Sequence, residues 1–206
     1  MTSTARTPLI PAVLPDNAVQ PATLAAWRRW LSAHHGRGQG IWLVTYRKAA
    51  GRARITYEEA VEEALCFGWI DSKPRGLDAA RTMLWFAPRK PGSGWSRPNK
   101  LRIARLAGQG RMAAPGSAVV EAAKRDGSWS KLDDVEDLVV PADLADALRR
   151  HPGAAAHFAA FPRSARRGIL EWIANAKQAA TRERRVGETA RLAALNQRAN
   201  QWRPKG

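Results

Sequence analysis

The chain has 206 residues, 45% hydrophobic and 25% charged, enough to bury a core in one large domain or two small ones. Its formal net charge of +16 favours anionic partners: nucleic acid, phosphorylated metabolites or an acidic membrane surface. No apolar run approaches the ~20 residues that span a bilayer, and the single cysteine, Cys66, excludes an internal disulfide.

The first 21 residues carry one arginine and four prolines and no continuous apolar stretch, so they read as a mobile arm rather than a signal peptide. A cytoplasmic setting is expected, and a lone cysteine suits a reducing compartment. Next, "TLAAWRRWLSAHHG" places Leu24, Trp27, Trp30 and Leu31 on one helix face, and Gly36 stops it. "GIWLVTYRK" predicts a strand over 41–48. The "RAR" at 52–54 reads as a polar turn. "TYEEAVEEALCFG" predicts a helix over 56–67, with Thr56 and Glu59 as a capping box and four glutamates near the positive end of the helix dipole. "WIDSKP" and "RTMLWFAP" read as two strands of a hairpin.

A glycine- and proline-rich loop then leads into a helix over 97–108, with Ser96 as its expected N-cap. "SAVVEAAKRDG" is a further helix, and "SWSKLDDVEDLVVP" reads as extended and acidic. Four helices follow, with Ser164 and Thr181 as expected N-caps for the last two. These elements predict an α+β fold: a small antiparallel sheet covered by helices in the N-terminal half, and a helical C-terminal half. The expected organisation is an arm over 1–21, an α+β domain over 22–112 and a helical region over 113–206 packed on it.

The charge is segregated. From Lys73 to Arg111 there are ten basic residues and one acid; from Arg163 to Lys205, eleven and three; between them, Glu121 to Leu148 holds eight acids and three bases. The richest candidate site lies in the first basic stretch, "FAPRKPGSGWSRPNKLRIARL". Arg89, Lys90, Arg97 and Lys100 surround Trp95, while Ser96, Asn99 and the first amides of the following helix offer donors at a positive dipole end. The pattern suits a phosphate or carboxylate with the indole stacked on an attached ring. The competing reading folds Trp95 into the core and leaves the arginines solvated. On the strand beginning at Trp69, Asp71 is expected to share a side with Lys73 and Arg75, as a ligand-orienting carboxylate or as one half of a structural ion pair with an arginine of strand 81–87. Arg182 and Arg185, with Lys177 and Arg184, either read a phosphate or pair with the acidic block Asp133–Asp146.

Other features carry less. Cys66 sits at a helix C-terminus, where the dipole raises a thiol pKa, so a buried structural role is expected. "GRGQG" precedes a strand instead of joining strand to helix, which excludes a dinucleotide loop. The histidine pairs 34/35 and 151/157 lack metal-ligand spacing, and no GxSxG, HExxH or CxxC occurs. No cofactor or metal is expected.

"TYEEAVEEALCFGWIDS", "PRKPGSGWSRPNKLRIARLAGQGRM" and "EWIANAKQAATRERRVGET", with "AAWRRWL" and "GIWLV", resemble in order and spacing the YdeI/OmpD-associated, or bacteriocin-protection, family of bacteria, over roughly residues 22–200. The resemblance implies a link to protection against bacteriocins or cationic antimicrobial peptides and to an outer-membrane porin. It supplies no catalytic residues. Together these observations lead to a non-enzymatic anion-binding protein of an envelope-stress or bacteriocin/antimicrobial-peptide resistance type. Its partner is a phosphorylated small molecule or nucleic acid. Two alternatives stay open: an enzyme acting on a small phosphorylated or carboxylated substrate in a cleft between the halves, and a non-specific nucleic-acid binder.

Overall fold

A computed structural model of the chain describes residues 13–201; most of the expected N-terminal arm, residues 1–12, lies outside them. The chain divides into two compact units. The first runs to Ser93 and resumes over Lys100–Asp126, and the second takes Gly94–Asn99 and the chain from Gly127 onward.

In the first unit, helix α1 (Leu24–His34) starts at Thr23, whose hydroxyl accepts a hydrogen bond from the Ala26 amide, and it buries Trp27 and Leu31. Strand β2 (Ile41–Tyr46) and a 3-10 turn at Lys48–Ala50 lead to α2 (Tyr57–Cys66). The capping box is present. The Glu59 amide donates to Thr56 Oγ1 at 3.3 Å, and the Thr56 amide donates back to Glu59 Oε2 at 2.8 Å. Strands β3 (Trp69–Gly76) and β4 (Arg81–Pro88) form the expected hairpin.

The sheet order is β1-β2-β4-β3, where β1 is Ala18–Val19. Strands β2, β4 and β3 are antiparallel neighbours, but β1 pairs parallel with β2, so the sheet is mixed rather than antiparallel. A two-residue strand between prolines carries no alternating pattern. Its pairing comes from the free edge of β2 and not from local propensity.

A register shift separates Asp71, opposite Phe86, from Pro74, opposite Leu84. Three steps on β3 face two on β4, so β3 carries one extra residue, and side chains beyond the bulge change face. Asp71 therefore shares the Phe86 face and Arg75 the Met83 face. The expectation that Asp71, Lys73 and Arg75 align on one side fails for this reason. Helices α1 and α2 cover the Phe86 face, where Trp27 packs on Phe86 with ring centroids 5.5 Å apart. On the opposite face Trp42, Val44 and Met83 form a smaller cluster.

Helices α3 (Arg97–Gly108) and α4 (Ala114–Arg125) follow. Helix α4 approaches the end of α2 so closely that a Cβ on Gly116 would lie 2.1 Å from the Cys66 carbonyl oxygen. Cys66 itself is fully buried, and burial pushes its thiol pKa up.

The second unit is helical: α5 (Asp133–Glu136), α6 (Ala142–Arg149), α7 (Ala154–Ala160), α8 (Arg163–Ala174) and α9 (Ala179–Ala194). Leu144, Phe158, Ile169, Ile173 and Ala190 lie in one buried cluster. The acidic segment expected to be extended instead contains α5. Leu132 and Val135, three apart, are both buried, and acids in the first turn suit the positive dipole end. Ser164 and Thr181 are not caps. Helix α8 starts after Pro162, whose carbonyl accepts from the Ala165 and Arg166 amides, and α9 starts after Gln178. No helix among the described residues is long and apolar enough to cross a membrane.

Candidate anion-binding site

The glycine-rich loop before α3 turns inward. Trp95 is 1% exposed and packs on Trp129 with ring centroids 5.0 Å apart. Its neighbour Gly94 lies against Leu132: a Cβ there would fall 2.6 Å from Leu132 Cγ. The close backbone approach that a glycine allows is thus made to the protein's own core, and the indole has no open face for stacking on a ligand.

The cations of the same stretch are also engaged within the chain. The Arg97 guanidinium donates to Asp137 at 2.6 Å, and its amide donates to Glu136 Oε1 at 3.4 Å. A carboxylate of the chain therefore sits at the N-terminus of α3, where an anion was expected. Arg167 donates to the same Glu136 carboxylate and holds its pKa below the usual range. Along α3, Arg102 forms a two-pronged pair with Glu58, and Arg105 meets Glu62 at 2.5 Å. Arg111 bridges Glu62 and Glu63, and Arg28 donates to Glu63 at 2.6 Å. Glu62 and Glu63 are 6% and 4% exposed. The glutamates of α2, which sequence patterning assigned to the helix dipole, are the counter-charges of the first basic stretch.

The remaining sequence candidates are placed as follows. Arg89 is half-buried, donates to the Ser93 carbonyl, and is lowered by burial to a pKa of about 10. Lys90 is exposed, Ser96 and Lys100 are half-buried, and Asn99 is buried. Arg182 makes a two-pronged pair with Asp143, at 2.7 and 3.0 Å, which is the intramolecular alternative. Arg185 donates to the Trp172 carbonyl and lies over the Trp172 ring, 4.9 Å from its centroid. Asp71 accepts from the Tyr57 hydroxyl at 3.0 Å. Partial burial and then the Asp71 charge push the Tyr57 phenol up, which keeps it a donor.

Tyr57 leads to a site that sequence reasoning passed over. A cavity of about 190 Å³ lies inside the first unit, between the α2 side of the sheet and the start of α2. Its apolar wall is Leu43, Ile55, Ala60 and Leu84, with Arg47 and Arg54 on its rim. A second cavity of about 210 Å³ shares Thr45, Tyr46, Arg54 and Ile55 with it. The loop over both is "YRKAAGRARITY", residues 46–57, with Arg47, Lys48, Arg52 and Arg54 and no acid. All four side chains are exposed. Arg47 donates to the Asp78 carbonyl, and Arg52 donates to the Tyr46 hydroxyl and lies over its ring. Among the described residues none of the four forms a salt bridge, in contrast to Arg97, Arg102, Arg105 and Arg182. The signal in the sequence is a run of four cations with no acid for twelve residues, divided between the strand expected over 41–48, which takes Arg47 and Lys48, and the turn expected at 52–54, which takes Arg52 and Arg54.

No group of three or more His, Cys, Asp or Glu among the described residues is placed to hold a metal ion. Neither a curated protein nor a solved structure matches the chain. Two family models do. Residues 19–119 match a domain of unknown function (DUF8412), which contains the cavity, the 46–57 loop and the first two of the three longest motifs named above. Residues 137–196 match the model described as bacteriocin-protection, YdeI or OmpD-associated, which contains the third. Residues 137–196 are thus similar to the YdeI/OmpD-associated, bacteriocin-protection family, and residues 19–119 to the domain of unknown function.

Proposed function

We propose that this is a non-enzymatic anion-binding protein of the envelope-stress or bacteriocin/antimicrobial-peptide resistance type, and that its anion is taken by Arg47, Lys48, Arg52 and Arg54. The resistance setting rests on the family of residues 137–196. The anion site rests on one observation: these four exposed cations form no salt bridge among the described residues, whereas Arg97, Arg102, Arg105 and Arg182 already hold carboxylates. A guanidinium whose donors are spent on Asp or Glu gains little from a second anion. One whose donors face water gains a charge-assisted hydrogen bond.

The test is thermal unfolding with inorganic phosphate as the probe. A ligand that binds only the folded state raises the melting temperature with concentration. Phosphate is expected to stabilise the wild type, and an R97A/K100A double variant retains the increment. An R47A/R54A double variant loses it. Equal increments in all three proteins, or none in any, would overturn the reading. A labelled single-stranded oligonucleotide separates the macromolecular alternative: a polyanion site gives log affinity falling with log salt at roughly 0.7 per phosphate contact.

A further inference from the structure

The cavity beneath the 46–57 loop is walled on one side by Leu43, Ile55, Ala60 and Leu84. Thr45, Thr56, Thr82, Tyr46 and Tyr57 also line it. The charged residues on its wall are Arg47 and Arg54, with no carboxylate among them. The nearest acids along the chain are engaged: Glu58 pairs with Arg102, and Glu59 is held in the capping box, where Thr56 donates to it through both its amide and its hydroxyl. An apolar chamber with a cationic mouth fits one kind of molecule: an apolar body carrying an anionic head.

Resting on the anion-binding reading, we propose that this cavity is a binding site for a small amphipathic monoanion, an aryl or short branched-chain carboxylic acid. The apolar body sits against Leu43, Ile55 and Leu84, and the carboxylate meets Arg54.

Three observations set the ligand class. Size comes first. At about 30 Å³ per molecule in the liquid, 190 Å³ corresponds to roughly six waters, and drug-sized ligands need about 300–1,000 Å³. The body is therefore limited to something on the order of ten heavy atoms, which is too small for a nucleotide. Arg54 supplies the second argument, because it borders both this cavity and the adjoining one of about 210 Å³. A head group at Arg54 lies where the two chambers meet. Third, Tyr57 is already oriented. Its hydroxyl donates to Asp71 at 3.0 Å, so the ring edge stands at the cavity wall with its own donor satisfied, and the ligand meets an aromatic surface there. This gives Asp71 a positioning role through Tyr57.

Calorimetric titration of the full chain with benzoate, benzamide and inorganic phosphate tests the assignment. Benzoate is expected to saturate at a single site, and neutral benzamide to bind at least about tenfold more weakly, the loss of one charge-assisted hydrogen bond. Arg54→Ala should cost benzoate about tenfold. Ala60→Leu fills the chamber from α2 and should abolish benzoate binding while leaving the phosphate response intact. Thr82→Leu fills it from β4 and serves if the Ala60 variant does not fold. If benzamide equals benzoate, or if both filled variants bind benzoate as the wild type does, the cavity assignment is overturned and the anion reading of the loop stands. If phosphate and benzoate both fail to bind, both readings fall.

Discussion

Two basic segments of this chain look alike in sequence and are used in opposite ways. Residues 86–106 and residues 46–57 both mix arginine, lysine and glycine with an aromatic residue. In the first, the indole is 1% exposed and Arg97, Arg102 and Arg105 are bound to Asp137, Glu58 and Glu62. In the second, the cations are exposed, and Arg47 and Arg54 border a cavity. The difference lies in partners some 40 residues away: Glu58 and Glu62 of α2 fold against α3, while the acids that reach the 46–57 loop are committed elsewhere, Glu59 to its cap, Asp71 to the Tyr57 hydroxyl and the Asp78 carboxylate to Arg81. Formal charge in a sequence counts cations; the fold decides how many remain available to a ligand.

The largest expected effect breaks the first half of this comparison. Trp95→Ala removes a fully buried indole from contact with Trp129, and large-to-small changes of this kind cost about 3–5 kcal/mol. Urea denaturation should show that loss, while phosphate binding to the folded fraction stays as in the wild type. A Trp95→Ala protein of normal stability with lost anion binding would return the indole to the ligand site.

Next comes the ion-pair network of the first unit. Glu63→Gln strips the shared carboxylate from Arg28 and Arg111. Breaking a fully buried pair costs about 3–5 kcal/mol; both arginines are partly exposed, so about 2 kcal/mol is expected in the denaturation midpoint. No comparable loss should follow any change at Lys48 or Arg52.

A pH series sharpens the same contrast. Glu58 is held low by Arg102, Glu136 by Arg167 and Asp143 by Arg182. Their folded pKa values lie below the unfolded ones, so each contributes stability that is fully present above about pH 4–5 and is lost as pH falls through the folded value. Thermal unfolding should show the melting temperature level near neutrality and falling below about pH 4–5, with a shallower fall in Glu136→Gln. If the melting temperature instead rises on acidification, these pairs are not formed in solution.

Much of the fold was legible because local signals agreed. Thr56 and Glu59 are three apart and cap α2 as the pattern requires, and β2, β3 and β4 follow aromatic and β-branched runs. Features set by tertiary contacts were not legible. Strand β1 depends on an edge supplied by β2, and the bulge after Asp71 moves Arg75 to the opposite face. Helix α5 is a single turn that exists because Leu132 and Val135 find a core. The candidate site suffered most. Motif length and cation density pointed to Trp95, yet no periodicity in the sequence reports that Glu136 reaches the amide of Arg97 or that a cavity lies under Arg54.

The smallest expected effect is the most discriminating, because it compares two double variants of equal charge change. Arg102→Ala with Arg105→Ala removes the partners of Glu58 and one of the two partners of Glu62. The Glu58 pair is half-exposed, which limits its worth to about 0.2–1 kcal/mol. Glu62 is buried and keeps Arg111, so a total near 2 kcal/mol is expected. Arg47→Ala with Arg54→Ala removes exposed side chains that form no salt bridge, Arg54 acting on Glu59 only at longer range, and surface changes of that kind usually stay within about 0.5 kcal/mol. The sign is informative too. Removing two uncompensated cations from a chain of net charge +16 relieves self-repulsion, so a slight stabilisation at low salt, fading as salt screens it, is the expected direction. Melting temperatures of both double variants at low and high salt measure this. A loss at Arg47 and Arg54 as large as that at Arg102 and Arg105 would mean that the 46–57 cations are tied down after all, and the contrast between the two basic segments would collapse.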